Sequence, residues 1–175
     1  MAGITPVGKP PQQHSVQAGF REVMAGVCTP VSIVTAMADQ QPHGTTVSAF
    51  ASLSMDPPMV LVSLDRGSEL LEMIRATKLF GLNVLSSAQS AEALTFARKG
   101  GVAKFAGVPW EVDGGVPRLT DVAGFLVGEV TEFVEGGDHV IVLGLVLTAD
   151  SVPISPLTYH GRVFGTHAAL AEADR

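Results

Sequence analysis

Residues 43–68, HGTTVSAFASLSMDPPMVLVSLDRGS, concentrate the side chains able to do chemistry. The stretch opens on Gly44, runs through Thr45, Thr46, Val47, Ser48 and Ala49, and passes Ser52 and Ser54 to Pro57 and Pro58. An apolar strand is predicted over 59–64, with Ser63 near its end. Asp65, Arg66, Gly67 and Ser68 follow, and Ser68 is placed to cap a helix. A strand, a glycine-containing turn and a helix start together suit an anion, because the first N–H groups of a helix lack intrahelical partners and its dipole favours negative charge. Arg66 beside Ser68 adds a guanidinium able to fork a phosphate. The same residues also fit a plainer reading, a solvent-facing strand obeying β-propensity and a surface arginine beside an ordinary cap.

The elements that must hold this stretch are legible from periodicity. Residues 1–14, with Pro6, Gly8, Pro10 and Pro11, read as a flexible arm. Val16, Phe20, Val23, Met24 and Val27 recur at helical spacing behind Ser15, and Pro30 ends that helix. Residues 31–37 read as a strand, 39–42 as a turn and 44–50 as the returning strand of a hairpin. Beyond the opening stretch, a short helix carries Leu70, Leu71 and Ile74 inward. A buried strand over 80–85 follows, with Asn83 as its polar residue. An alanine-rich helix starts at Ser87 or Ser90 and runs to about Lys99; Gly100 and Gly101 break it, leaving Lys104 and Phe105 on a loop. Trp110 and Pro117 mark an irregular segment. The longest hairpin spans 125–134 and 139–147 around Gly136 and Gly137, with His139 at the return. A closing strand over 157–164 completes one domain, 15–165, and residues 166–175 form a tail. Many strands, three short helices and Gly/Pro turns define a mainly β chain, a barrel with helices packed outside it.

Composition narrows the chemistry. At 175 residues, with 46% apolar and only 16% charged residues, the chain is one compact domain whose low charge suggests a surface covered by a second copy. A net charge of -6 without a basic run argues against nucleic acid, so an anionic ligand must be held by a few local cations. Cys28 is the single cysteine and reads as a small, partly buried side chain. His14, His43, His160 and His167 lack metal-ligand spacing, so no metal is expected. The start, MAGITPVGKPPQQ, has neither the basic region nor the apolar core of a secretory signal, and no apolar run approaches a membrane span. A cytoplasmic protein is expected. No GxGxxG opens a helix after a strand, and no G-x-S-x-G occurs, which sets aside Rossmann dehydrogenases and α/β-hydrolases.

The ordered blocks TPVSIVTA, the 43–68 stretch, FGLNVLSSAQ, KFAGVPW, GDHVIVLG and PLTYHGRVF resemble the short-chain flavin reductases, the NAD(P)H:flavin oxidoreductase components of two-component flavin-dependent monooxygenases. The likeness covers roughly residues 15–165 in the family's order. Pro30 departs from it, standing where a glycine is common. The resemblance implies a split β-barrel of the FMN-binding type, a homodimer, and hydride transfer from NADH or NADPH to FAD or FMN. The reduced flavin then passes to a partner monooxygenase. It implies that Thr45, Thr46, Val47, Ser48 and Ala49 run beside the flavin ring. Ser63, Asp65, Arg66 and Ser68 would lie toward the ribityl and phosphate end, Asn83 on a bordering strand, and Lys104 and Phe105 on the loop closing the phosphate side. His139 would orient the nicotinamide, with Tyr159 and Arg162 near the same pocket. Two other readings of such a barrel remain: a flavin carrier or sensor without NADH turnover, and an oxidase that retains its flavin.

Overall fold

β-branched and apolar residues at alternate positions give this chain one dominant sheet with a buried set of side chains on each face. The computed structural model describes residues 13–167. The arm expected over 1–14 and the tail expected over 166–175 fall mostly outside that range. The elements run α1 (Gln13–Ala25), β1 (Thr29–Pro30), β2 (Ser32–Ala38), β3 (Gln41–Val47), β4 (Phe50–Met55) and β5 (Pro58–Asp65). Next come α2 (Glu69–Thr77), β6 (Leu79–Val84), α3 (Ser90–Phe96), a 3-10 turn (Val102–Phe105), β7 (Trp110–Asp113) and β8 (Val116–Leu119). The chain closes with β9 (Gly124–Gly136), β10 (His139–Ser151), β11 (Thr158–His160) and β12 (Val163–Gly165).

Seven strands form the main sheet in the order β3-β2-β6-β9-β10-β5-β4. Its two edges, β3 and β4, are consecutive in the chain and joined through Ser48 and Ala49, yet they do not pair with each other. The result is a barrel left open at one seam, as the resemblance implied. One face of the sheet buries Val34, Val62, Leu64, Phe80 and Val142 against Leu70, Leu71 and Ile74 of α2. The other buries Ile33, Phe125 and Val127 under Phe96 of α3, Phe105 of the 3-10 turn, and Val116 and Leu119 of the β7–β8 hairpin. Ile33 and Val34 therefore point to opposite layers, as the strand period requires.

Four local expectations need correction. The segment around Trp110 and Pro117 is an ordered hairpin, with Asp113 paired to Val116 across Gly114 and Gly115. Both glycines have positive φ, +57° and +86°, the backbone a tight two-residue hairpin loop demands. The returning strand expected over 44–50 ends as β3 at Val47, and Phe50 instead begins edge strand β4. The closing strand is a short hairpin, β11–β12, paired with β1. Cys28 is exposed rather than partly buried.

The new hairpin explains Asn83. Its carboxamide nitrogen donates to Ile33 O and Thr35 Oγ1, each 3.2 Å away, and its oxygen accepts from Leu119 N at 2.8 Å. Thr35 Oγ1 in turn donates to Pro117 O at 2.6 Å. This fully buried amide staples the hairpin to the sheet, a structural role instead of the ligand role expected for it. Replacing Asn83 by Ala strands the Leu119 N–H and is expected to cost about 1–3 kcal/mol. Urea unfolding measures this, and activity per folded molecule should be retained.

Candidate functional site

An edge strand has backbone groups with no strand to bind. Beside β3 lies the C-terminal end of α3, and the side chains of β3 reach across to it. Thr46 Oγ1 donates to Ala93 O at 2.7 Å, and Thr45 Oγ1 to Phe96 O at 3.4 Å. Lys104, 7% exposed, donates through Nζ to Gly44 O at 3.0 Å and Phe96 O at 3.2 Å. A cation on the last carbonyls of a helix also offsets its dipole. Burial lowers the Lys104 pKa from its ordinary value, and the Glu69 carboxylate opposes that shift. Lys104 is thus first a clamp between β3 and α3.

The seam of the barrel opens as a cleft of about 700 Å³, within the size range of small-molecule sites. One wall is β3 and its continuation: His43, Thr45, Thr46, Val47, Ser48 and Ala49. The opposite wall is the end of β5 and the start of α2: Ser63, Leu64, Asp65, Gly67, Ser68 and Glu69. Arg98, Lys99, Gly100 and Lys104 supply a cationic side, and His139 also lines the space.

The start of α2 is open. Ser68 occupies the N-cap position with extended backbone but makes no side-chain cap, contrary to the capping role expected of it. Asp65 Oδ1 instead accepts from Gly67 N at 2.7 Å. The first N–H groups of α2 therefore have no capping side chain, an arrangement that favours an anion. Arg98 and Lys99 have no ion pair among the described residues, and both side chains border this space.

At the other end of the β5 pairing, His139 faces Asp65 across the β5–β10 ladder. Its Nδ1 lies 2.8 Å from Asp138 Oδ1. The carboxylate can only accept, so Nδ1 carries the proton, and in the neutral ring Nε2 is the acceptor. The same contact holds the Asp138 carboxyl below its ordinary range.

Of the expected site residues, Thr45, Thr46, Val47, Ser48, Ala49, Ser63, Asp65, Ser68, Lys104 and His139 come together around this cleft. Arg66 does not: its guanidinium pairs with Glu135 and donates to Gly137 O at 2.8 Å, tying the turn after β5 to the β9–β10 turn. Phe105 is buried, edge-on to Phe96 and Trp110. Tyr159 packs on Phe164, and Arg162 pairs with Glu22 of α1 at 2.6 Å; neither borders the cleft. Arg98, Lys99, His43 and Glu69 were not anticipated. The scarcity of cations was a usable signal for the first two, since they stand immediately before the Gly100-Gly101 break.

The donor set fits a flavin nucleotide: a polar strand with hydroxyls and backbone groups on one wall, an open helix start on the opposite wall, and a cationic side of Arg98, Lys99 and Lys104. Comparison with known proteins agrees. Residues 24–168 match the flavin reductase like domain, and the chain belongs to that family. It is 38% identical over 149 residues to the reductase component of 4-nitrophenol 4-monooxygenase/4-nitrocatechol 2-monooxygenase from Rhodococcus opacus, covering 85% of this chain and 80% of that one. It is 33% identical over 164 residues to the FMN reductase (NADH) SmoA of Agrobacterium fabrum, covering 90% and 93%. Among solved structures, the NADH:FAD oxidoreductase SgcE6 of Streptomyces globisporus C-1027, in complex with NAD and FAD fragments, superposes with a TM-score of 0.84 at 28% identity, covering 91% and 98%.

His43 sets a pH dependence. Its ring is 8% exposed, Nε2 is 3.2 Å from Glu69 Oε2, and Nδ1 is buried without a partner. Burial is the main cause lowering its pKa from 6.5, with Lys104 adding to the shift and Glu69 opposing it. As pH falls through about 6.5, the unfolded chain takes up a proton that the folded ring resists, so stability declines until both states are protonated. Unfolding midpoints between neutral pH and about pH 5 should show a steeper decline for the native chain than for His43→Gln.

Proposed function

We propose that this protein is an NADH-dependent flavin reductase that takes up oxidised FAD or FMN at the seam of its barrel and releases it reduced to a partner monooxygenase. The observation that carries the reading is the cleft around which the polar strand β3, the open start of α2, the cations Arg98 and Lys99, and His139 all converge. Flavin bound there supplies a two-electron acceptor, N5 taking the hydride from nicotinamide C4. A reduced ring there would carry negative charge toward its N1–C2=O edge. Preorganised donors stabilise such developing charge without reorganisation. Backbone N–H groups along 45–49 and the Ser48 hydroxyl are the donors this chain offers. Thr45 and Thr46 spend their protons on α3 carbonyls, so their oxygens act as acceptors toward a ligand. His139, its tautomer held by Asp138, orients the nicotinamide carboxamide through Nε2. Lys104 positions β3, and Arg98 and Lys99 attract the phosphates.

Release is part of the function, so affinity should be moderate. A dissociation constant near micromolar corresponds to about 8 kcal/mol, whereas nanomolar binding would trap the product. In air, NADH oxidation by the purified protein is expected to rise with added FAD or FMN and saturate. An NADH oxidation rate indifferent to added flavin overturns the reading. His139→Ala should raise KM for NADH more than it lowers kcat, because hydride transfer itself needs no general acid.

The reading includes a homodimer. α1 carries Val16, Phe20, Val23 and Met24, and Val27 follows its end, all exposed, with Phe20 64% and Val23 68% accessible. A helix with an uncovered apolar stripe calls for a partner surface. Its ties to the rest of the chain include the Arg162–Glu22 ion pair and the bond from Gly161 N to Ala25 O at 2.9 Å. In this reading Tyr159 and Arg162 belong to the interface around α1. Phe20→Glu is expected to shift the protein toward monomer in sedimentation, with the sheet intact by circular dichroism.

A further inference from the structure

The cationic side of the cleft contains a carboxylate that a plain phosphate site would not keep. Glu69 is the first residue of α2, lines the cleft together with Arg98, Lys99 and Lys104, and leaves its side chain 81% exposed. It is not a loose surface acid, because Oε2 is held 3.2 Å from Nε2 of the buried His43 ring. Since Glu69 accepts, that ring carries its proton on Nε2, and Nδ1 remains a buried, unpartnered acceptor. Burial and the Lys104 ammonium both favour the neutral ring, so His43 orients the carboxylate without cancelling its charge. Gly101 packs beside the imidazole, where a Cβ would meet Cδ2 at 3.9 Å.

A carboxylate fixed in this way can do two things to a nucleotide. It accepts hydrogen bonds, so it suits hydroxyls or an amine, and it repels phosphate oxygens, which are acceptors too. The repulsion depends on the phosphate. A terminal phosphomonoester carries about -1.5 to -2 charges at neutral pH, while each phosphate of a dinucleotide's pyrophosphate bridge carries one. A dinucleotide also brings, beyond its phosphates, a ribose diol and an adenine amine, the donors that a carboxylate pairs with.

We propose that Glu69, held in place by His43, makes this reductase select FAD over FMN, disfavouring the terminal phosphate dianion and accepting a hydrogen bond from the adenosine half. Glu69 is the specificity-determining residue, and His43 is a positioning residue acting through it. The inference rests on the flavin-binding reading above. It concerns the choice between flavins, a property on which relatives differ, one bearing the name FMN reductase and another NADH:FAD oxidoreductase.

The test is equilibrium binding of riboflavin, FMN and FAD, followed by flavin fluorescence without NADH, for the native chain, Glu69→Gln, His43→Phe and Glu72→Gln. Glu72 lies in the same first turn of α2, pairs with Arg75 at 3.5 Å and does not border the cleft, so it controls for the helix dipole. The native chain should bind FAD more tightly than FMN. Glu69→Gln should tighten FMN by about fivefold, the size an exposed charge allows, leave riboflavin unchanged and not tighten FAD. His43→Phe should move the FAD/FMN ratio in the same direction by a smaller factor, and Glu72→Gln should not move it. Salt at about 0.5 M should narrow the native preference, because exposed charges are screened. A native chain that binds FMN as tightly as FAD overturns the inference, as does a Glu69→Gln variant that shifts all three flavins equally or none. If no flavin binds the native chain at all, the function proposed above fails first and takes this inference with it.

Discussion

A β-strand at the edge of a sheet must satisfy backbone groups that no neighbouring strand reaches, and in this protein that demand shapes the site. β3 and β4 end the seven-stranded sheet on opposite sides and are joined by only two residues, Ser48 and Ala49. Closing the barrel would need β3 to pair across the seam. Instead α3 lies alongside it: the Thr45 and Thr46 hydroxyls of β3 donate to α3 carbonyls, and the buried Lys104 ammonium donates to Gly44 O on the strand. A buried amine is tolerated only where it is hydrogen-bonded, and Nζ has both Gly44 O and Phe96 O. The seam is left as a polar cleft because the helix covers part of the edge and not all of it.

Most other features serve to keep the two walls of that cleft at a fixed separation. Asn83 locks the β7–β8 hairpin over one face of the sheet, and α2 fills the other with Leu70, Leu71 and Ile74. Arg66 ties the turn that begins α2 to the β9–β10 turn that leads into His139, so the open helix start and the histidine are directly linked. The Arg66 backbone N–H, bonded to Asp138 O at 2.9 Å, reinforces the link. Groups remote from any ligand thus decide whether the donor set stays preorganised, which is the condition for electrostatic stabilisation to work.

Phe80 shows the same economy in packing. Its ring lies where a Cβ on Gly128 or Gly144 would sit, 2.5 Å and 2.6 Å away. Two glycines on neighbouring strands β9 and β10 therefore make room for one fully buried aromatic. The long β9–β10 hairpin shifts register at Leu143/Gly144, where that ring packs.

Periodicity along the chain by itself determined the strands over 31–37, 59–64, 80–85 and the long final hairpin, because alternation and a Gly-Gly turn are local signals. The family was legible by another route, the resemblance carried by several blocks in order, and the match over residues 24–168 bears it out. The resemblance implied that Thr45 to Ala49, Ser68, Lys104 and His139 lie near one another, and all of them line the cleft. The β7–β8 hairpin was also written locally, in Gly114 and Gly115, but Trp110 and Pro117 masked it. Only the tertiary structure decided what each polar side chain faces. Arg66 and Asn83 look like ligand groups in the sequence and are occupied by Glu135, Gly137, Leu119 and Ile33 once the sheet forms. Arg98, Lys99 and the His43–Glu69 pair look incidental and meet at the cleft, because residues 26 or more positions apart become neighbours only when strand, helix and seam are assembled. Local spacing fixes the face on which a residue sits; which partner waits there depends on elements distant in the chain.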